Sequence, residues 1–169
     1  MARNVEIKAR IGSVDAVLPR ARALADGDAV AIDQDDTFYA VPNGRLKLRR
    51  FGDGGAELIH YFRADTVDAK ASDYVRVPAT DPDALDAALT RACGTIGRVL
   101  KRRLLLLAGP TRIHLDRVER LGDFIELEVV LGDGETDADG IAVADDLMRA
   151  LGLADAPRVA GAYRDLLPR

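Results

Sequence analysis

The chain has 169 residues, enough for one ordinary domain and too few for two. Its net charge of −4 is too mild to mark a nucleic-acid binder, and its single Cys93 excludes an internal disulfide and a multi-cysteine metal cluster. With no apolar run near the roughly 20 residues of a membrane helix, and no apolar signal-peptide core after Met1, the expectation is one cytoplasmic domain over residues 1–169, with no membrane or nucleic-acid partner.

Residues 4–11 alternate without a break. Val5, Ile7, Ala9 and Ile11 share one face, and Asn4, Glu6, Lys8 and Arg10 share the other, a period of two that predicts a strand. Ser13 is a fitting N-cap for a helix over 14–25, with Pro19 inside it as a potential kink. Residues 35–41 read as a strand, Pro42-Asn43-Gly44 as a turn, and 45–49 as a second strand with Arg45, Lys47 and Arg49 opposite Leu46 and Leu48. A strand over 57–63 follows, then a polar loop over 64–72 that holds Lys70, then a short strand over 73–77. Thr80-Asp81-Pro82-Asp83 opens a helix that stops at Gly94. Strands over 99–107, 112–118 and 124–131 come next, the last with Glu126 and Glu128 on one face. A helix over 137–151 and a tail at 162–167 close the chain.

Seven or eight strands joined by turns and short helices favour an antiparallel sheet or a closed barrel. Nearly every strand has one apolar and one charged face. An open sheet with one side in water explains that pattern, and so does a barrel whose helices coat the outside while the charged faces line a lumen. The charges themselves are unevenly chosen. Arg outnumbers Lys twenty to four and Glu occurs only six times, yet Lys8, Lys47, Lys101, Glu6, Glu126 and Glu128 all sit in strand segments. The barrel would gather Lys8, Arg10, Lys47, Arg49, Arg63, Lys101, Arg103 and Arg112 against Glu6, Asp116, Glu126 and Glu128, an excess of four positive charges in a chain that is negative overall. Unpaired charges cost several kcal/mol each to dehydrate, about the size of a whole side chain's burial, so such a lumen must be wet and must take a polyanion. Carboxylates among the bases suit Mg²⁺ or Mn²⁺, and a polyanion with a hard cation is a di- or triphosphate.

The same residues carry a family resemblance. Arg3-Asn4-Val5-Glu6-Ile7-Lys8-Ala9-Arg10 resembles the E-x-E-x-K strand of the CYTH superfamily, the triphosphate tunnel metalloenzymes, and the opening of its class IV adenylate cyclase-like branch. The likeness continues in order through 36–39, 44–49, 58–63, 70–74, 101–103, 112–116, 126–128 and 163–167. It implies an α+β fold, an eight-stranded antiparallel β-barrel (a tunnel) with helices packed outside. It implies a triphosphate substrate such as ATP or a polyphosphate, and dimers are common in the family. Carried over, Lys8, Lys101 and Arg103 would be catalytic, and Arg10, Lys47, Arg49, Arg63, Lys70 and Arg112 would bind substrate, Lys70 from a loop over the tunnel mouth. Glu6, Asp116, Glu126 and Glu128 would hold the metal. Asn4 departs from the pattern, standing where the family has its first Glu, and it offers an oxygen without a charge. Conversion of ATP to 3′,5′-cyclic AMP and pyrophosphate leads this reading. Hydrolysis of tripolyphosphate, thiamine triphosphate or a nucleoside triphosphate is one rival, and a non-catalytic polyphosphate-binding module is another. A solvated sheet used for protein contacts is the bland reading. His60, Tyr39 and Tyr61 read as packing, Cys93 as a small apolar residue, the acidic stretch 133–146 as solvated, and His114 as a structural hydrogen-bonder beside Asp116.

Overall fold

The computed structural model describes residues 4–63 and 70–167, and the side chains of residues 63 and 70–73 lie outside the description. Its eight described strands are β1 (Asn4–Arg10), β2 (Val30–Tyr39), β3 (Arg45–Phe51), β4 (Ala56–Arg63), β5 (Lys70–Pro78), β6 (Thr95–Ala108), β7 (Thr111–Val118) and β8 (Gly122–Val130). They close into one antiparallel barrel in the order β1-β5-β4-β3-β2-β6-β7-β8. The helices are α1 (Val14–Leu24), α2 (Pro82–Cys93), α3 (Asp137–Ala150) and the single turn α4 (Tyr163–Leu166). The tunnel fold expected from the sequence is therefore the fold found.

The main apolar core lies outside the barrel wall. Val5, Ile7 and Ala9 of β1 join Leu106, Ile113, Leu115, Ile125, Leu127 and Val129 on the outward faces of β6, β7 and β8. Val14, Val17 and Ala21 of α1 and Ala144 and Met148 of α3 cover them. Each fully buried Leu or Ile contributes about 1.5–3 kcal/mol, so this layer sets the barrel's sidedness. Once the apolar faces go out to the helices, the period of two sends Asn4, Glu6 and Lys8 into the lumen. Gly140 lets α3 lie close: a Cβ there would stand 2.7 Å from Val5 Cγ2. Ser13 caps α1 by accepting from the Asp15 amide, as the sequence predicts, and Pro19 sits inside a helix that runs on to Leu24. Thr136 and Asp139 form a reciprocal capping box on α3. Polar contacts tie α2 down instead of a core. The Tyr39 hydroxyl donates to Asp86 at 2.6 Å, and Arg50 donates to Asp83 at 2.9 Å.

Three elements depart from the sequence expectation. β2 starts at Val30, five residues early. Its outward Asp33 and Asp35 pair with Arg102 and Arg98 of β6 while its inward Gln34 and Asp36 are also polar, so no hydrophobic alternation was there to be seen. β6 is longer at both ends. β5 begins at Lys70, in register with Glu6 of β1, where a loop was expected. The tail forms α4. No described helix is long and apolar enough to cross a membrane.

Candidate functional site: a charged tunnel

Inward-facing residues of the strands enclose a cavity of about 150 Å³. Among the described residues its wall carries seven bases (Lys8, Lys47, Arg49, Arg76, Lys101, Arg103 and Arg112) and four acids (Glu6, Asp36, Glu126 and Glu128). One step further along four strands the inward residues turn apolar: Phe38, Val99, Val118 and Phe124. Tyr163 of α4 packs among them and fills that end of the tunnel, its ring 4.9 Å from that of Phe124.

The acids divide the bases into groups. Asp36 accepts from Lys47 Nζ at 2.9 Å and from Arg49 at 2.7 Å on each oxygen. Burial would raise the Asp36 carboxyl, but the two cations overcome it and hold the group well below the carboxylate range. Burial pulls Lys47 down to about 8, with Arg49 adding to the effect and Asp36 opposing it. Arg103 donates to both Asp116 oxygens, at 2.7 and 2.6 Å, and to Glu126 at 2.8 Å. The Tyr163 hydroxyl donates to Asp116 at 2.8 Å. Asp116, although buried, is kept below its usual range by Arg103 and Lys101. Lys101 lies well below the ordinary lysine range, first through burial and then through Arg103. Lys8 stands 3.4 Å from Glu126 and 4.3 Å from the Tyr163 ring centre. Burial would raise Glu126 too, but Lys8, His114 and Arg103 bring it well down.

The closed barrel brings together most of the residues singled out in the sequence. Glu6, Lys8, Lys47, Arg49, Lys101, Arg103, Arg112, Glu126 and Glu128 all line the cavity. Arg10 does not. It is exposed, donates to the Leu121 carbonyl at 2.6 Å and covers the far side of the Phe124 ring. Asp116 is fully buried behind Arg103, with its oxygens engaged by Arg103 and Tyr163. The side chains of Arg63 and Lys70 lie outside the described residues.

Several lumen residues were not read as such from the sequence, among them Tyr61, expected to pack and found on the cavity wall. Asp36 lies in a segment polar on both faces. Arg76 and Tyr74 alternate inward in β5, expected only as a short strand over 73–77, and Arg76 donates to Glu57 at 2.7 and 2.6 Å. Tyr163 reaches the lumen only by tertiary contact. His114 was assigned to Asp116, two residues on, yet its Nδ1 lies 3.7 Å from both Glu126 and Glu128.

A closed antiparallel barrel with an apolar exterior under helices and a predominantly basic, carboxylate-bearing lumen is a charged tunnel. The chain matches the CYTH domain family over residues 2–163 and belongs to that family. It is 28% identical to the adenylate cyclase CyaB of Aeromonas hydrophila, across 96% of this chain and 87% of the relative. In structure it resembles the PH1012 protein of Pyrococcus horikoshii, with a TM-score of 0.87, 21% identity and coverage of 98% and 99% of the two chains. It also resembles HpAC1 of Hippeastrum, which is described with a dominant triphosphatase activity, with a TM-score of 0.68, 12% identity and coverage of 96% and 92%.

Proposed function

We propose that the tunnel binds ATP and converts it to 3′,5′-cyclic AMP and pyrophosphate. The observation that carries this reading is the convergence of seven bases and four acids on one cavity that also has an aromatic wall. A bare polyphosphate would need no aromatic wall. Tyr61 and Tyr74 face each other across β4 and β5, next to Ile59, and offer flat apolar surface to a purine. The 28% likeness to CyaB points the same way.

Lys8, Lys47, Arg49 and Arg112 hold the phosphates in this scheme, and Arg103, fixed by Asp116 and Glu126 through Nε and Nη2, has its Nη1 left for the charge that develops on the leaving pyrophosphate. The ribose 3′-oxygen bonds to the α-phosphorus and the bond from that phosphorus to the pyrophosphate oxygen breaks. Lys101, whose proton affinity burial and Arg103 both lower, is the residue assigned to take the hydroxyl proton. The residues fit a divalent cation. Oxygens of Glu126 and Glu128 lie within 4.8 Å of one another, and the buried Asn4 Oδ1 has no hydrogen-bond partner. Glu6, Glu126 and Glu128 would hold Mg²⁺ or Mn²⁺, which when bound neutralises charge on the phosphate oxygens.

The test is to incubate the purified protein with ATP and Mn²⁺ at neutral and alkaline pH and to separate the products by chromatography. Cyclic AMP with pyrophosphate supports the cyclase. ADP with phosphate replaces it by a triphosphatase, the activity described for the structurally similar HpAC1. ATP binding without any product leaves a binding module, and Asn4→Glu is then the variant that asks whether the missing carboxylate is the cause.

A further inference from the structure

We propose that His114 contributes a nitrogen ligand to the cation held by Glu126 and Glu128, so that this tunnel prefers Mn²⁺ or Co²⁺ to Mg²⁺. The inference rests on the triphosphate reading of the lumen, and it concerns which metal accompanies that substrate.

The arrangement follows from strand register. His114 of β7 sits directly opposite Glu126 of β8, and Arg112 sits opposite Glu128. Directly paired side chains on one face of an antiparallel ladder start about 4.5–5.5 Å apart, and diagonal ones remain within reach of each other. One ligand atom from each of His114, Glu126 and Glu128 therefore falls within a single 4.8 Å set. Nδ1 stands 3.7 Å from Glu126 Oε2 and 3.7 Å from Glu128 Oε1. That is too long for a hydrogen bond. The separation leaves room for an ion that all three side chains would hold.

The second observation is independent of the carboxylates. His114 is only 4% exposed, and its Nδ1 has no hydrogen-bond partner. A buried ring nitrogen without a hydrogen bond is costly, and an ion between it and the two carboxylates would satisfy it. A neutral imidazole is a common ligand for transition ions, whereas Mg²⁺ favours oxygen donors and octahedral water. Asn4, at the other end of the acidic wall, works in the same direction. It offers the cavity only a neutral oxygen and so adds no charge to an all-oxygen alternative.

Lys8, Arg103 and Arg112 already share the two carboxylates, so the ion is best held when an anionic phosphate offsets these bases. The experiment therefore loads the protein with Mn²⁺ in the presence of tripolyphosphate and records pulsed electron paramagnetic resonance. Nitrogen modulation from a directly bound imidazole is expected in the wild type and absent in His114→Asn, which puts an amide near the position of Nδ1. The ratio of Mn²⁺ to Mg²⁺ affinity should fall about tenfold or more in the variant. Mn²⁺ bound to the wild type without nitrogen modulation, or an unchanged ratio in the variant, overturns the proposal. The wild-type spectrum decides even where the variant does not fold. Should tripolyphosphate not bind, the triphosphate reading fails by itself, and the spectrum with Mn²⁺ alone still decides the role of His114. An absence of Mn²⁺ binding in both conditions overturns it.

Discussion

Asp36 is the most informative residue to change, because it competes with the proposed substrate. It is 2% exposed and pairs with both Lys47 and Arg49. Asp36→Asn keeps the volume and leaves two buried cations facing one amide. Removing one partner of a buried ion pair costs about 3–5 kcal/mol, and the water in a polar lumen places this case near 3. For a chain of this length that is a fall in Tm of about 6–12 °C. The exposed Asp35–Arg98 pair is the control, and Asp35→Asn should cost less than about 1 kcal/mol. The variant should then recover more from ligand than the wild type does. Tripolyphosphate must draw Lys47 and Arg49 away from Asp36 in the wild type, whereas Asp36→Asn offers them unpaired. A tenfold gain in affinity adds about 1.4 kcal/mol to the stabilisation at a fixed saturating concentration. The sign with pH follows from the depressed carboxyl: its contribution is present above the unfolded value near 4 and is lost as pH falls through the folded one, so the variant loses part of its acid limb. Thermal and denaturant unfolding with and without tripolyphosphate measure all of this. A ligand-induced Tm shift no larger in Asp36→Asn than in the wild type refutes the competition.

With Lys47 held at about 8, wild-type tripolyphosphate affinity should fall below that of Lys47→Arg by up to about tenfold per pH unit above that value, and calorimetric titration of the two proteins across pH measures the gap. Tyr163→Phe removes the hydroxyl that donates to buried Asp116 but keeps the ring that closes the tunnel, so unfolding should show a loss of about 1.5–3 kcal/mol, with Tyr163→Ala costing more. Gly140→Ala should destabilise by about 1–3 kcal/mol against its gain in helix propensity, because the new methyl would meet Val5 and Leu131 at 2.7 and 2.8 Å; a neutral or stabilising result by denaturant titration would show that α3 can shift outward.

Much of the barrel was legible because one rule applied along it. In β1, β3, β7 and β8 the apolar and charged residues alternate cleanly, and each strand was found where that alternation put it. Where the rule was silent, so was the reading. The start of β2 is polar on both faces, so alternation there does not mark Asp36 as the counter-ion of Lys47 and Arg49. The lone carboxylates were readable as lumen groups but not as partners. Asp116 belongs to Arg103 and Tyr163, while His114 belongs to Glu126 and Glu128.

Period-two alternation by itself determined that most of these strands have one apolar and one charged side, because successive side chains point to opposite faces of any extended chain. The ordered E-x-E-like and basic segments determined the family. Neither could say which charges meet, since that depends on register across strands far apart in sequence: β1 against β8, β2 against β6. Only closure of the barrel set Glu126 beside Lys8, Arg103 and His114, put Arg10 beyond the apolar end, and seated Tyr163 from the far end of the chain against Asp116. Alternation is a local property of the backbone, whereas pairing of charges across a lumen is decided by tertiary packing.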